Sequence, residues 1–155
     1  MVEFSHIQDD KVHMVDISGK GDVSREAVAS GRIYLRQETL RAIADGAVLK
    51  GNVLATARIA AIMAVKNTAA LIPMCHTIPI STASVDFVQE KDHLLARVRV
   101  RSYGRTGVEM EALTGAGIAL LTIWDMVKSA EKDPAGQYPV TRITDLIVEE
   151  KRKGV

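Results

Sequence analysis

The chain is short of several things at once, and each shortage excludes something. It has a single cysteine, Cys75, so no disulfide can close within it, and one cysteine cannot build a structural zinc site of the multi-cysteine kind. Aromatic residues make up only 4% of its 155 residues, so a core must be assembled from Ala, Val, Ile, Leu and Met. No charge sign dominates: 20 Lys and Arg stand against 19 Asp and Glu. That balance leaves no general footprint for nucleic acid or an anionic membrane, although a local basic cluster can still hold a phosphorylated small molecule. There is no internal repeat and no low-complexity tract. The start, MVEFSHIQDDK, lacks the basic segment and apolar core of a secretory signal. The expectation is one soluble, cytoplasmic domain spanning residues 1–155.

What is present is organised around Thr106–Asp133. From Ala112 to Trp124 no residue is charged, and only Gly115 and Gly117 interrupt the helix formers. A helix apolar on nearly every side is a buried one, and the run is shorter than the roughly 20 residues that span a bilayer. It reads as the central helix of a core. Glu109 and Glu111 lie in its first turn, where the helix dipole favours carboxylates. Asp125 and Lys128, at i and i+3, share a face near its end. The pair is either solvated or covered; Trp124, Met126 and Val127 around it favour cover, and a covered pair must be matched internally or serve a ligand.

The rest of the chain is arranged to surround that helix. Residues 1–22 are polar and irregular, with Asp9-Asp10 and Gly19-Lys20-Gly21, and read as a mobile arm. Arg25–Arg36 alternates as a half-buried strand, with Ala27, Ala29, Gly31, Ile33 and Leu35 on one side. Gln37–Ala44 is a short helix ended by Asp45-Gly46, and Val53–Lys66 is a second apolar helix that Asn52 can cap. Lys50 sits just before it, where a helix start attracts anions; the plainer reading is an exposed loop lysine. Pro73 and Pro79 bracket a loop that carries Cys75 and His76. A Cys-His dipeptide is a weak signal for a metal or a nucleophile, so Cys75 reads as a small apolar filler. Ile80–Glu90 and Leu95–Ser102 alternate on either side of Lys91-Asp92-His93, an antiparallel hairpin with Arg97, Arg99 and Arg101 outward. Tyr138–Val148 is a last strand, followed by a charged tail, Glu149–Val155. The order is β-α-β-β-α-β, which predicts an α+β, ferredoxin-like domain with helices packed on one face of an antiparallel sheet.

Five of these stretches, in this order, resemble one family. They are Met14–Ser18, Lys50–Val53, Leu71–His76, Thr106–Leu113 and Asp125–Lys128. Together they are similar to the molybdenum-cofactor biosynthesis C protein family, the cyclic pyranopterin monophosphate synthases, over about residues 6–146. The resemblance implies a ferredoxin-like hexamer, built as a trimer of dimers. It implies a lyase reaction that converts 3′,8-cyclo-7,8-dihydro-GTP to cyclic pyranopterin monophosphate and pyrophosphate, with no cofactor and no metal. The site residues it implies are Lys50, His76, Glu109, Glu111, Asp125 and Lys128, with Asp125, Lys128 and Lys50 as the catalytic set. Met74, Cys75 and Met110 would line the pocket, and Asp16, Lys20 and Arg25 would belong to an arm that closes on substrate. In place of the Gly-Gly-Lys-Ser-Gly tail of many bacterial members, this chain ends RITDLIVEEKRKGV, where the available lysines are Lys151 and Lys153.

Such a reaction needs several proton transfers and neutralisation of a triphosphate. A carboxylate and an amine together can divide acid and base roles, which suits Asp125 and Lys128. Lys50 suits the phosphates. Two other readings remain open: a metal-dependent nucleotide hydrolase using His76, Glu109 and Glu111 as ligands, and a non-catalytic nucleotide-sensing module on the same fold. Glu111 and Asp125 lie 14 positions apart. That is roughly 21 Å along one helix at about 1.5 Å per residue. The separation predicts a site shared between two subunits whose helices run antiparallel, with Gly115 and Gly117 allowing close approach.

Overall fold

A computed structural model describes residues 7–8 and 11–154, with side chains from residue 12 onward. Asp9 and Asp10, read as part of the arm, lie outside the described residues. The elements in order are β1 (Ile7–Gln8), β2 (Lys11–Val12), β3 (Val23–Tyr34), α1 (Gln37–Ala44), α2 (Val53–Lys66), α3 (Thr68–Leu71), β4 (Ile80–Gln89), β5 (His93–Gly104), α4 (Glu109–Glu131) and β6 (Arg142–Lys153). Strands β1 and β2 form a two-residue antiparallel ladder. The other four make one antiparallel sheet in the order β4-β5-β3-β6. This is the expected ferredoxin-like α+β arrangement.

The sheet forms where the period-2 pattern says it should. In β5, Leu94, Ala96, Val98 and Val100 are fully buried, and their partners Ala27 and Ala29 in β3 are buried with them. Helices α2 and α4 lie together on this face, α4 over β3, β5 and β6, and α2 over β4. On the outer face the arginine stripe is more than solvated polarity. Arg99 Nη1 donates to Glu26 at 2.6 Å, Arg101 donates to the same carboxylate, and Arg97 binds Glu149 at 2.9 Å. Glu26 is buried yet held below the usual carboxylate range, by the Arg101 hydrogen bond first of all. Burial of a charge is tolerated there because it is paired from two sides.

Several expectations are corrected. The last strand starts at Arg142, not Tyr138, and runs through the charged tail to Lys153. Its interior is broken by register shifts opposite Val28–Ala29 and Ser30–Arg32 and by Asp145 at φ 53°. Those irregularities hide its alternation from a periodicity reading. The first long strand runs Val23–Tyr34 rather than Arg25–Arg36. The short α3 was not foreseen; Thr68 Oγ1 anchors it by donating to Ala64 O at 3.0 Å.

Helix α4 is long and apolar enough to cross a membrane by length and composition, but half of it is buried inside this fold. It is not covered all round: Leu121 and, on α2, Ile59 and Met63 are exposed. Nor does Gly115 face outward. A Cβ on Gly115 would meet Val65 Cγ2 at 2.7 Å and Val98 Cγ1 at 3.2 Å, and one on Gly117 would touch Leu146 Cδ2 at 3.6 Å. Gly115 therefore serves contact between α4, α2 and β5 within one chain, which takes it out of the expected role in helix approach between subunits.

Candidate active site

The predicted site residues gather in two places, at the two ends of α4. The first is a cavity of about 390 Å³ at its N-terminal end. Glu109, Met110 and Glu111 face it from the helix, Met74, Cys75 and His76 from the proline-bracketed loop, and Lys20 from the segment before β3. The loop is pinned from below, since Ser102 Oγ donates to Pro79 O at 2.7 Å. Val15, Ile17, Ile78, Thr106 and Gly107 also line the cavity; none was expected as a site residue, although all but Ile78 fall in stretches that carried the resemblance.

Local chemistry sets each carboxyl differently. A Cβ on Gly107 would overlap the Glu109 carboxylate, which folds back over the start of its own helix and would have to move aside. Burial pushes Glu109 upward, but hydrogen bonds from Lys151 and its own backbone N–H, with the charges of Lys151 and Arg25, outweigh that and leave it below the usual range. Glu111 is only 3% exposed, and its Oε2 has no hydrogen-bond partner. Burial, and then the nearby charge of Glu109, push it up to about 7 against the opposing pull of a backbone hydrogen bond. Two carboxyls in one turn thus sit on opposite sides of the ordinary value, the pattern that separates acid from base. The Cys75 thiol is raised by burial and by the charge of Glu111, which disfavours the thiolate a nucleophile needs.

The second place is the C-terminal end of α4. Lys50 Nζ donates to Asp125 O at 2.7 Å and Oδ2 at 3.3 Å, and Lys128 Nζ donates to Asp125 Oδ1 at 2.7 Å. Lys50 is brought there by the turn before α2, whose start is capped as expected: Asn52 Oδ1 accepts from Ala55 N at 2.9 Å. The two ammonium groups hold Asp125 low, Lys128 foremost, and Asp125 in turn raises Lys128. The cluster is not covered within the chain, as the apolar neighbours suggested. Asp125 and Lys128 are 61% and 47% exposed, because Met126 and Val127 turn inward while the charged face turns out. Beside it Lys50, Met126 and Val127 border a second cavity of about 320 Å³.

The arm residues divide. Lys20 lines the first cavity, but Asp16 does not; its Oδ1 accepts from Ser18 N at 2.8 Å, and that bond, with His76 nearby, keeps it low. Arg25 belongs to β3 rather than to an arm. Its guanidinium donates to Gly104 O at 3.0 Å and Arg105 O at 3.1 Å, tying down the loop that leads into α4. Among the described residues no three His, Cys, Asp or Glu side chains come together as a metal-ligand group, so His76, Glu109 and Glu111 do not form the set that a metal-dependent hydrolase would use.

Comparison with known proteins bears on the same residues. A sequence profile of the MoaC family matches residues 14–154. The chain is 64% identical over 154 residues to a protein of Methanoregula boonei, across 99% of each chain. It is 65% identical to one of Methanosphaerula palustris, across 99% of this chain and 100% of the relative. A relative from Archaeoglobus fulgidus is 57% identical over 99% of this chain and 98% of its own. All three carry the name "Probable cyclic pyranopterin monophosphate synthase". With the match running through both ends of α4 and the loops that serve them, the chain belongs to the MoaC family.

Proposed function

We propose that this chain is a cyclic pyranopterin monophosphate synthase of molybdenum-cofactor biosynthesis, a lyase acting on 3′,8-cyclo-7,8-dihydro-GTP with release of pyrophosphate. The observation that carries the reading is the Lys50–Asp125–Lys128 cluster, because residues far apart in sequence converge on one exposed, hydrogen-bonded group. Two ammonium groups and one carboxylate leave a net positive site, suited to neutralising phosphate oxygens as a cyclic phosphate closes and pyrophosphate departs. Lys128, raised by Asp125, is a proton donor in this resting arrangement. The Glu109–Glu111 cavity provides the second proton-handling station, with Glu111 poised near neutral pH. His76 and Lys20 at its rim are placed to orient a base or sugar.

The active assembly in this proposal is a homohexamer, a trimer of dimers, with each site made by two subunits. Two facts support a shared site. The carboxyl cavity and the lysine cluster lie at opposite ends of an unbroken 23-residue helix, and Ile59, Met63, Leu71 and Leu121 leave apolar surface on α2, the end of α3 and α4 of the kind that marks association. Incubation of the purified protein with the cyclised GTP intermediate tests the function. The expected result is pyranopterin product and pyrophosphate in equal amounts. Binding without turnover would favour a sensing module instead.

A further inference from the structure

The edge strand β6 sends to Glu109, on the wall of the carboxyl cavity, a side chain that the functional reading above does not use. Lys151 pairs in register with Ala27 of β3. Ala27 belongs to the buried core beneath the helices, and directly opposed residues in a ladder share a face. Lys151 therefore points to the helix side of the sheet, toward the start of α4, and its Nζ forms an ion pair with Glu109 Oε1. Two positions on, Lys153 pairs with Arg25, and the charge of Arg25 also reaches Glu109.

We propose that Lys151 is a positioning residue of the active site, holding the Glu109 carboxylate in place by an ion pair that reaches from the edge strand to the first turn of α4. This rests on the function proposed above. The side chain of Lys151 is 66% exposed, and ion pairs so open contribute little to stability. The pair's effect is on the site. It keeps the Glu109 carboxylate folded back over Gly107, where no Cβ stands in the way. Fixed and ionised, it leaves the buried Glu111, whose Oε2 has no hydrogen-bond partner, as the carboxyl that retains a proton. The charged and titratable groups facing the two glutamates are Lys151 from β6, Arg25 from β3, Lys20 from the segment before β3, and His76 and Cys75 from the proline-bracketed loop. Among these, Lys151 makes the direct ion pair with Glu109.

The test uses the full chain with Lys151→Met and Lys151→Arg, each checked for an unchanged thermal midpoint. Carboxyl ¹³C shifts of labelled glutamate report the titration of Glu109 and Glu111 without turnover, and kcat and KM are measured across pH with the cyclised GTP intermediate. In Lys151→Met, Glu109 should titrate at higher pH, and kcat should fall at least tenfold near neutrality with a smaller change in KM. Lys151→Arg should restore most of both, because it restores the cation. A Lys151→Met protein with unchanged Glu109 titration overturns the proposal, and so does an arginine variant that behaves like the methionine one. If wild-type protein shows no turnover, the functional reading fails while the carboxyl titration still decides the role of Lys151. Should Lys151→Met not fold, the ion pair is structural and the positioning role is likewise overturned.

Discussion

Glu111 is a carboxyl built into a place that disfavours its ionised form. Folded, it keeps its proton to about pH 7; released from the fold it would lose it near the ordinary 4.5. The folded state therefore binds more protons between those values, and stability falls as pH rises through that window. A gap of that size corresponds to about 3 kcal/mol as an upper figure, at roughly 1.4 kcal/mol per pKa unit. Glu111→Gln should remove the slope and make the protein more stable than wild type at pH 8, by roughly 1–3 kcal/mol. Denaturant midpoints of both proteins at pH 5 and pH 8 check this, and parallel losses of stability in the two would contradict it. The residue's presence in the site was legible from the family-like stretch around it. Its protonation was not, because burial and the lack of a partner for Oε2 are properties of neighbours distant in sequence.

At the scale of the element, α4 shows how two identical residues two positions apart can do opposite things. Gly115 lies against stiff β-branched Val65 and Val98, with the backbone of Ala61 behind. Gly117 meets only Leu146 at ordinary contact distance. Replacing glycine by alanine inside a helix gains about 0.8–1.0 kcal/mol, whereas forcing a methyl into a packed interior costs about 1–3 kcal/mol. Gly117→Ala should therefore stabilise by a few tenths to about 1 kcal/mol, and Gly115→Ala should destabilise by about 1–2 kcal/mol. Thermal or denaturant unfolding separates them, and a stabilised Gly115→Ala would show that α2 yields more easily than its packing implies. The central helix and its charge-free run were readable from the local sequence. Which glycine is packed was not, since that depends on the rotation of α4 over β5 and α2.

At the scale of the whole molecule, each chain carries two clusters of candidate site residues toward opposite ends of one helix. If two subunits complete each other's site, Glu111→Ala and Lys128→Ala proteins should each be nearly inactive alone. After subunit exchange they should recover part of the activity, because one of the two sites in a mixed dimer carries neither substitution. Recovery is measured as turnover after mixing, with exchange confirmed by mass-labelled subunits. Confirmed exchange without recovered turnover would refute the shared site, as would an active monomer. Glycine packing no longer argues for this arrangement, since Gly115 is occupied within its own chain; the distance between the stations and the exposed Ile59, Met63 and Leu121 remain as its support.

The sequence by itself determined the parts whose signals are local. Alternation marked β3, β4 and β5, breakers and Asn52 bounded α1 and α2, and the family-like stretches contain the residues of the two stations apart from Lys20 and Ile78. These features hold because side-chain period and capping act over a few residues. Only the tertiary structure decided how β6 runs, since its bulges and the left-handed Asp145 break the period that would have revealed it. The same holds for what depends on that register. Lys151 meets Glu109 because a strand at the sheet's edge is set opposite Ala27, and Asp125 turns outward because Met126 and Val127 take the inward face. Pairings of this kind come from where elements pack, and no window of sequence contains both partners.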